Sequence, residues 1–185
     1  MRKLIAAINL TLDGIIDHTA VSPDEKLHQH YADLLRHADI ILYGRITYEL
    51  MKYWKQFIDT PSGEKNMDDF AEAIDKIPKI VFSHTLTSPD WQTAGLADEP
   101  LETTVKSLKQ QSGGSILVGS RSIIIQLMKL DLIDEYQFCV HPVIAGSGQS
   151  FFDDFKERKA FSLLKTEVFD SGAVIFYYAR ANDLN

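Results

Sequence analysis

Three short segments of this 185-residue chain combine residue types that can grip an anion. Gly44-Arg45-Ile46-Thr47 follows the apolar run Ile40-Ile41-Leu42-Tyr43, and Ser83-His84-Thr85 follows Lys79-Ile80-Val81-Phe82. Gly119-Ser120-Arg121-Ser122 follows Ile116-Leu117-Val118. In each, a strand-like run stops where a turn or helix must begin. A helix start leaves backbone N–H groups without intrahelical acceptors, and the macrodipole adds about half a positive charge there. Glycine lets a ligand approach the backbone, the Thr47 hydroxyl can donate, and the Arg45 guanidinium is a planar fork matched to phosphate oxygens. A merely polar turn, with Thr47 as a helix cap, also accounts for Gly44–Thr47 taken alone. Three such junctions together are what a dinucleotide needs, with its pyrophosphate and sometimes one phosphate more.

Other polar residues carry two readings each. Asp13 sits in the loop Leu10–Val21 at an Asp-Gly turn signal. Its carboxylate either hydrogen-bonds a substrate ring or closes the turn. His28, His30 and His37 raise the question of a metal. On a helix His28 and His30 face different ways and no Cys or Glu completes a set, so solvated surface histidines are expected. His141 either lines a pocket or is a satisfied strand-end histidine. Phe151, Phe152 and Phe155 pack either in the core or at a contact between subunits.

The elements that must position these residues follow from periodicity. Buried strands are expected at Lys3–Asn9, Asp39–Tyr43, Lys79–Phe82, Ser115–Val118 and in Glu135–Val143, with a weaker one near Trp91. Between them lie helical patterns. One opens at Ser22-Pro23 as a capping box with Glu25 and carries Leu27, Tyr31, Leu34 and Leu35. A second runs from Thr47 through Trp54. Others carry Phe70, Ile74 and Ile77, then Leu101, Val105 and Leu108, then the run Ile123–Leu127. Ser162–Phe169 and Ala173–Arg180 around Asp170-Ser171-Gly172 read as a hairpin. Strands alternating with helices imply an α/β layer sandwich with a mostly parallel sheet and an antiparallel edge. In such sheets ligands bind beyond the carboxyl ends of the strands, where all three junctions fall.

Composition narrows the partners. Nineteen Lys and Arg against 26 Asp and Glu give a net charge of −7, which argues against a nucleic-acid surface but not against one local anion site. The single cysteine, Cys139, excludes an internal disulfide and fits a reducing compartment. No apolar stretch reaches transmembrane length, and the opening residues read as a first strand rather than a signal peptide. The expectation is one cytoplasmic domain over residues 1–180 with a short tail at 181–185, and no membrane partner.

Taken together, "AAINLTLDGII", "YGRITYELM", "VFSHTL" and "ILVGSRSIIIQLMKLDLIDEYQFCVHPVIAGSGQSFF" resemble the dihydrofolate reductase superfamily. The nearer likeness is to the reductase domain of riboflavin biosynthesis, the RibD C-terminal type, and it covers nearly the whole chain in order. The resemblance implies a three-layer α/β sandwich with a central mixed, mostly parallel sheet and a C-terminal antiparallel hairpin. It also implies bound NADPH, hydride transfer to a small heterocyclic substrate of pyrimidine or pterin type, and a homodimer. The activity resembled is that of 5-amino-6-(5-phosphoribosylamino)uracil reductase. Carried over by position, Gly44, Arg45 and Thr47 hold NADPH phosphates, and Ser83 and His84 face the adenosine ribose and its 2′-phosphate. Gly119, Ser120, Arg121 and Ser122 lie under the pyrophosphate and nicotinamide, and Asp13 borders the substrate as the candidate catalytic residue. The chain departs from the pattern twice. Its tandem glycines read Gly119–Ser120, and the carboxylate of the dihydrofolate reductase first helix has no counterpart, with His28 near its place. A non-catalytic nucleotide-binding protein and a true dihydrofolate reductase are the alternatives.

Overall fold

Strands form where apolar residues run without a polar break, because a parallel strand covered on both faces has no solvent side. β1 (Leu4–Thr11), β2 (Ala38–Gly44), β3 (Lys79–Phe82), β4 (Ala94–Leu96), β5 (Ser115–Val118) and β6 (Glu135–His141) are the parallel set. The computed structural model, which describes residues 1–181, joins them to a closing hairpin of β7 (Phe161–Val168) and β8 (Val174–Arg180). The result is one eight-stranded sheet in the order β4-β3-β2-β5-β1-β6-β8-β7, with β8 antiparallel to both β6 and β7. The expected tail lies, apart from Ala181, outside the described residues.

The helices cover both faces. α1 (Glu25–Arg36), α2 (Arg45–Met51), α3 (Gln56–Asp59) and α4 (Lys65–Lys76) precede β3, while α5 (Leu101–Gln110) and α6 (Arg121–Lys129) flank β5. β1 shows how the layers are divided. Leu4, Ala6 and Leu10 face a core with Val118, Ile124, Leu127, Phe138 and Phe151. Ile5 faces the opposite core with Leu35, Ile41, Tyr43, Tyr48 and Ile74. That two-residue alternation follows from the pleat, and it makes the molecule a three-layer sandwich. Phe151 belongs to the first core and Phe155 packs against it, whereas Phe152 stays 41% exposed.

Two helix boundaries differ from the sequence expectation. α1 is capped by Asp24, not Ser22: the Asp24 carboxylate accepts from the Leu27 N–H at 2.8 Å. Its second oxygen accepts from the Ser171 N–H in the hairpin turn at 2.7 Å, a partner 147 positions away that no local pattern reveals. The helix after Gly44 also does not run unbroken to Trp54. It tightens into a 3-10 turn at Lys52–Lys55, which sets the Trp54 ring 4.5 Å from that of Phe70 on α4. The expectation of solvated histidines fails on α1. His28 meets the Asn66 side chain at 3.2 Å and the edge of Trp54, and His30 lies among Tyr31, Phe169 and Tyr177. Burial lowers the pKa of both rings. Among the described residues no helix is long and apolar enough to cross a membrane.

Candidate active site

The carboxyl ends of β1, β2, β3 and β5 open onto one cleft of about 1110 Å3. Its wall takes in Gly44, Arg45 and Thr47 after β2, Ser83 and His84 after β3, and Gly119, Arg121 and Ser122 after β5. The three junctions therefore converge, as their shared place at strand ends predicts. Asn9, Ile16, Asp17, His18, Tyr31, Leu50 and Met51 line the other half.

The way the junctions close is more specific than the sequence suggests. Ser120 precedes α6 but does not cap it: its hydroxyl, 1% exposed, accepts instead from the Gly44 N–H at 2.9 Å. Gly44 in turn leaves α2 without a side-chain cap. One hydroxyl thus staples two strand ends together and leaves both helix starts uncapped by side chains beside the cleft. Thr47 is not a cap either, since Gly44 holds the N-cap position of α2 and Thr47 lies within the helix. The backbone at Ser120 is ordinary extended chain, φ −98° and ψ 123°, so serine replaces the family's second glycine without strain. Replacing Ser120 with Ala strands the buried Gly44 N–H and is expected to cost about 1–3 kcal/mol of stability, read by urea denaturation. An unchanged midpoint would mean the staple contributes nothing. Gly44 itself has no room for a side chain to spare, because a Cβ there would meet Ser122 Oγ at 3.1 Å.

The two arginines of the wall have different fates. Arg121, 9% exposed, donates from Nε to the Ser150 and Phe151 carbonyls at 2.9 and 3.0 Å, and from Nη1 to Asp154 at 2.8 Å. Nε and Nη1 are thus committed within the protein, where they tie down the Ser150–Asp154 segment, while Nη2 is buried without a partner. Arg45 is exposed, and its side chain makes no hydrogen bond or ion pair with any described residue. Ser83 is partly engaged, its hydroxyl accepting from the Thr85 and Leu86 N–H groups at 3.1 and 2.8 Å to hold the turn, while His84 stands exposed beside it.

Asp13, the candidate catalytic residue, is not on the cleft wall. Its carboxylate accepts from the Thr11 hydroxyl at 2.5 Å and from the Ala145 and Gly146 N–H groups at 3.1 and 2.8 Å. The Thr11 bond and then the Gly146 bond bring its pKa down to about 2. A carboxylate so held has no proton to give near neutrality, and its geometry is that of a clasp between two loops.

Sequence reasoning offers His141 as a pocket-lining residue but does not single out Asn9, which lines the other half of the cleft. Asn9 ends the half-buried stretch Ala7–Asn9 of β1, Tyr31 reaches it from α1 at 2.9 Å, and His141 reaches it from the end of β6, also at 2.9 Å. Period-two alternation on β1 places Asn9 on the α1 side. Nothing in a single sequence pairs it with residues 22 and 132 positions away.

An eight-stranded mixed sheet with this order of parallel strands, sandwiched by helices and closed by an antiparallel hairpin, is a dihydrofolate reductase-like α/β fold. Within that class the chain belongs to the RibD C-terminal domain family, whose model matches residues 2–175. It is 32% identical to the uncharacterized protein YyaP of Bacillus subtilis (strain 168) over 96% of this chain and 94% of that one. Among solved structures it resembles a candidate riboflavin biosynthesis protein from Shewanella sp. PV-4, with TM-score 0.73 at 20% identity, covering 96% of this chain and 98% of that one. It also resembles a diaminohydroxyphosphoribosylaminopyrimidine deaminase/5-amino-6-(5-phosphoribosylamino)uracil reductase from Thermotoga maritima, with TM-score 0.65 at 20% identity. That match covers 97% of this chain and 57% of the longer Thermotoga protein.

Proposed function

We propose that the protein is an NADPH-dependent reductase that delivers hydride to a small heterocycle of pyrimidine or pterin type. The observation that carries this reading is Arg45. In a chain of net charge −7, an exposed guanidinium without a protein partner stands at the mouth of a cleft beside two helix starts that no side chain caps. Anion recognition gives that arrangement a use. The cleft is also large enough for a dinucleotide with a ring beside it.

In this reading Gly44, Arg45 and Thr47 receive phosphate, Ser83 and His84 face the adenosine ribose, and the Gly119 and Ser122 backbone lies along the pyrophosphate and nicotinamide. Bound NADPH supplies the hydride. The chain's own residues supply registry: Gly44 and Ser120 fix the distance between the two phosphate-binding turns, and Leu50 and Met51 exclude water from the ring's edge. Asp13 holds the loop that follows β1 and takes no part in proton transfer. A cytoplasmic homodimer belongs to the same reading. Leu163, Leu164 and Val168 lie exposed on the edge strand β7, a surface that proteins usually cover.

Calorimetric titration with NADPH and then NADH tests the cofactor half without knowing the substrate. Saturable NADPH binding, tighter than NADH, is expected. No heat and no thermal shift with either cofactor would overturn the reading.

A further inference from the structure

The two halves of the cleft differ in charge. Both arginines of its wall, Arg45 and Arg121, follow the strand ends of the cofactor half, and among the described residues no lysine lines the cleft. The loops after β1 and β6 bring Ile16, Asp17 and Gln149 to the wall but cannot supply a cation. The chain carries no Lys or Arg between Lys3 and Lys26, nor between Lys129 and Lys156. Cations on the neighbouring helices are engaged elsewhere. On α1, Lys26 pairs with Asp170 at 2.8 Å and Arg36 with Asp33 at 3.1 Å. After α2, Lys52 pairs with Glu49 at 2.9 Å and with Asp90 at 3.1 Å, and Lys55 donates to the Asp90 carbonyl at 2.8 Å. Arg121 is already met by Asp154 at 2.8 Å.

What the substrate half does carry is a carboxylate. Asp17 Oδ1 accepts from the Thr19 hydroxyl at 2.7 Å and from the Thr19 N–H at 2.8 Å, bonds that lower its pKa and keep it ionised. Ile16, Val21, Leu50 and Met51 give the same half its apolar surface. A flat ring fits such a wall through its faces. A phosphate does not, because it would leave water for an apolar slot with no cation to meet it and a like charge alongside. That sets this cleft apart from the substrate in the Thermotoga relative's name, a uracil bearing a phosphoribosylamino group.

We propose that the substrate half takes an uncharged ring compound without a phosphate group, and that Asp17 sets this selectivity by repelling anions. This rests on the reductase reading above for the identity of the cleft, and deepens it to a substrate class.

The test titrates matched pairs calorimetrically into the NADPH-saturated full chain: 2-naphthol with 2-naphthyl phosphate, and uridine with uridine 5′-monophosphate. At about pH 8 the phosphates are dianions and imidazoles are ordinarily uncharged. The readout is the ratio of dissociation constants within a pair. The uncharged member is expected to bind about tenfold more tightly, or better. Asp17→Asn keeps an oxygen for Thr19 and removes the charge. It should leave the affinity for the uncharged member where it was and tighten the phosphorylated one about fivefold, a gain that fades as salt screens it. Bound NADPH repels phosphate in both proteins, so the change on substitution reads Asp17 alone. Asp17→Lys should narrow the gap further. Thermal melts confirm that each variant is folded. Phosphorylated members that bind as tightly as their uncharged partners, a ratio unmoved by Asp17→Asn, or no binding of either uncharged member overturns the proposal. Loss of the reductase reading looks different: NADPH gives no heat while the uncharged rings still bind.

Discussion

Replacing Arg45 with Ala is expected to weaken NADPH binding by about 1.5–3 kcal/mol, roughly 10- to 150-fold, while NADH affinity hardly moves. The two cofactors differ by one 2′-phosphate, and Arg45 is the cleft guanidinium that the protein leaves unpaired. Arg121, its neighbour on the wall, is already bonded to two carbonyls and a carboxylate and cannot swing out without breaking them. Lys in place of Arg45 should restore part of the discrimination, since it keeps the charge but loses the fork. Calorimetry with both cofactors on the same variant decides the matter. Equal losses for NADPH and NADH would remove Arg45 from 2′-phosphate recognition.

Arg121→Ala should have the largest effect on stability, about 3 kcal/mol, because it strips the Ser150 and Phe151 carbonyls of a charged donor and leaves space where a buried side chain packed. The Asp154 contact adds little, since that carboxylate is 67% exposed and solvent can replace the partner. The effect should reach beyond stability. The segment fastened by Arg121 pairs with the loop after β1: Phe151 N–H donates to the Gly14 carbonyl at 2.9 Å and Ile16 N–H to the Gln149 carbonyl at 3.0 Å. Arg121 thus joins the turn after β5 to the loop that follows β1. Arg121→Lys separates the two contributions, as a single ammonium cannot reproduce the fork across Ser150, Phe151 and Asp154. A urea midpoint for Arg121→Ala within error of the unaltered protein would contradict the assignment.

The parts of this fold that sequence reveals are the local ones. Strands such as Ile116–Val118 announce themselves as apolar runs, and Gly44 and Gly119 mark their ends. The hairpin shows in Asp170-Ser171-Gly172. From these the placement of three junctions at one end of a sheet follows. The parts it hides are made by distant partners. Asp13 reads as an available acid until Ala145 and Gly146 are seen to hold it. Arg121 reads as a phosphate ligand until Ser150 and Asp154 appear. Ser22 looks the better cap until Ser171 N–H selects Asp24. Asn9 draws no notice because an asparagine in a strand carries no motif, and its partners come from another helix and another strand. In each case the residue type was legible and its hydrogen-bond partner was not.

The strand order has a consequence for how the chain reaches this state. β1 precedes both of its sheet neighbours in the chain, lying between β5 and β6, which begin only at residues 115 and 135. Until the ribosome has passed them, Ile5, Ile8 and Leu10 have no strand to pair with. Closing loops of that length before any pairing rewards them slows folding and leaves an apolar segment uncovered meanwhile. Until β5 and β6 follow, the central strand waits without a partner, its apolar residues uncovered.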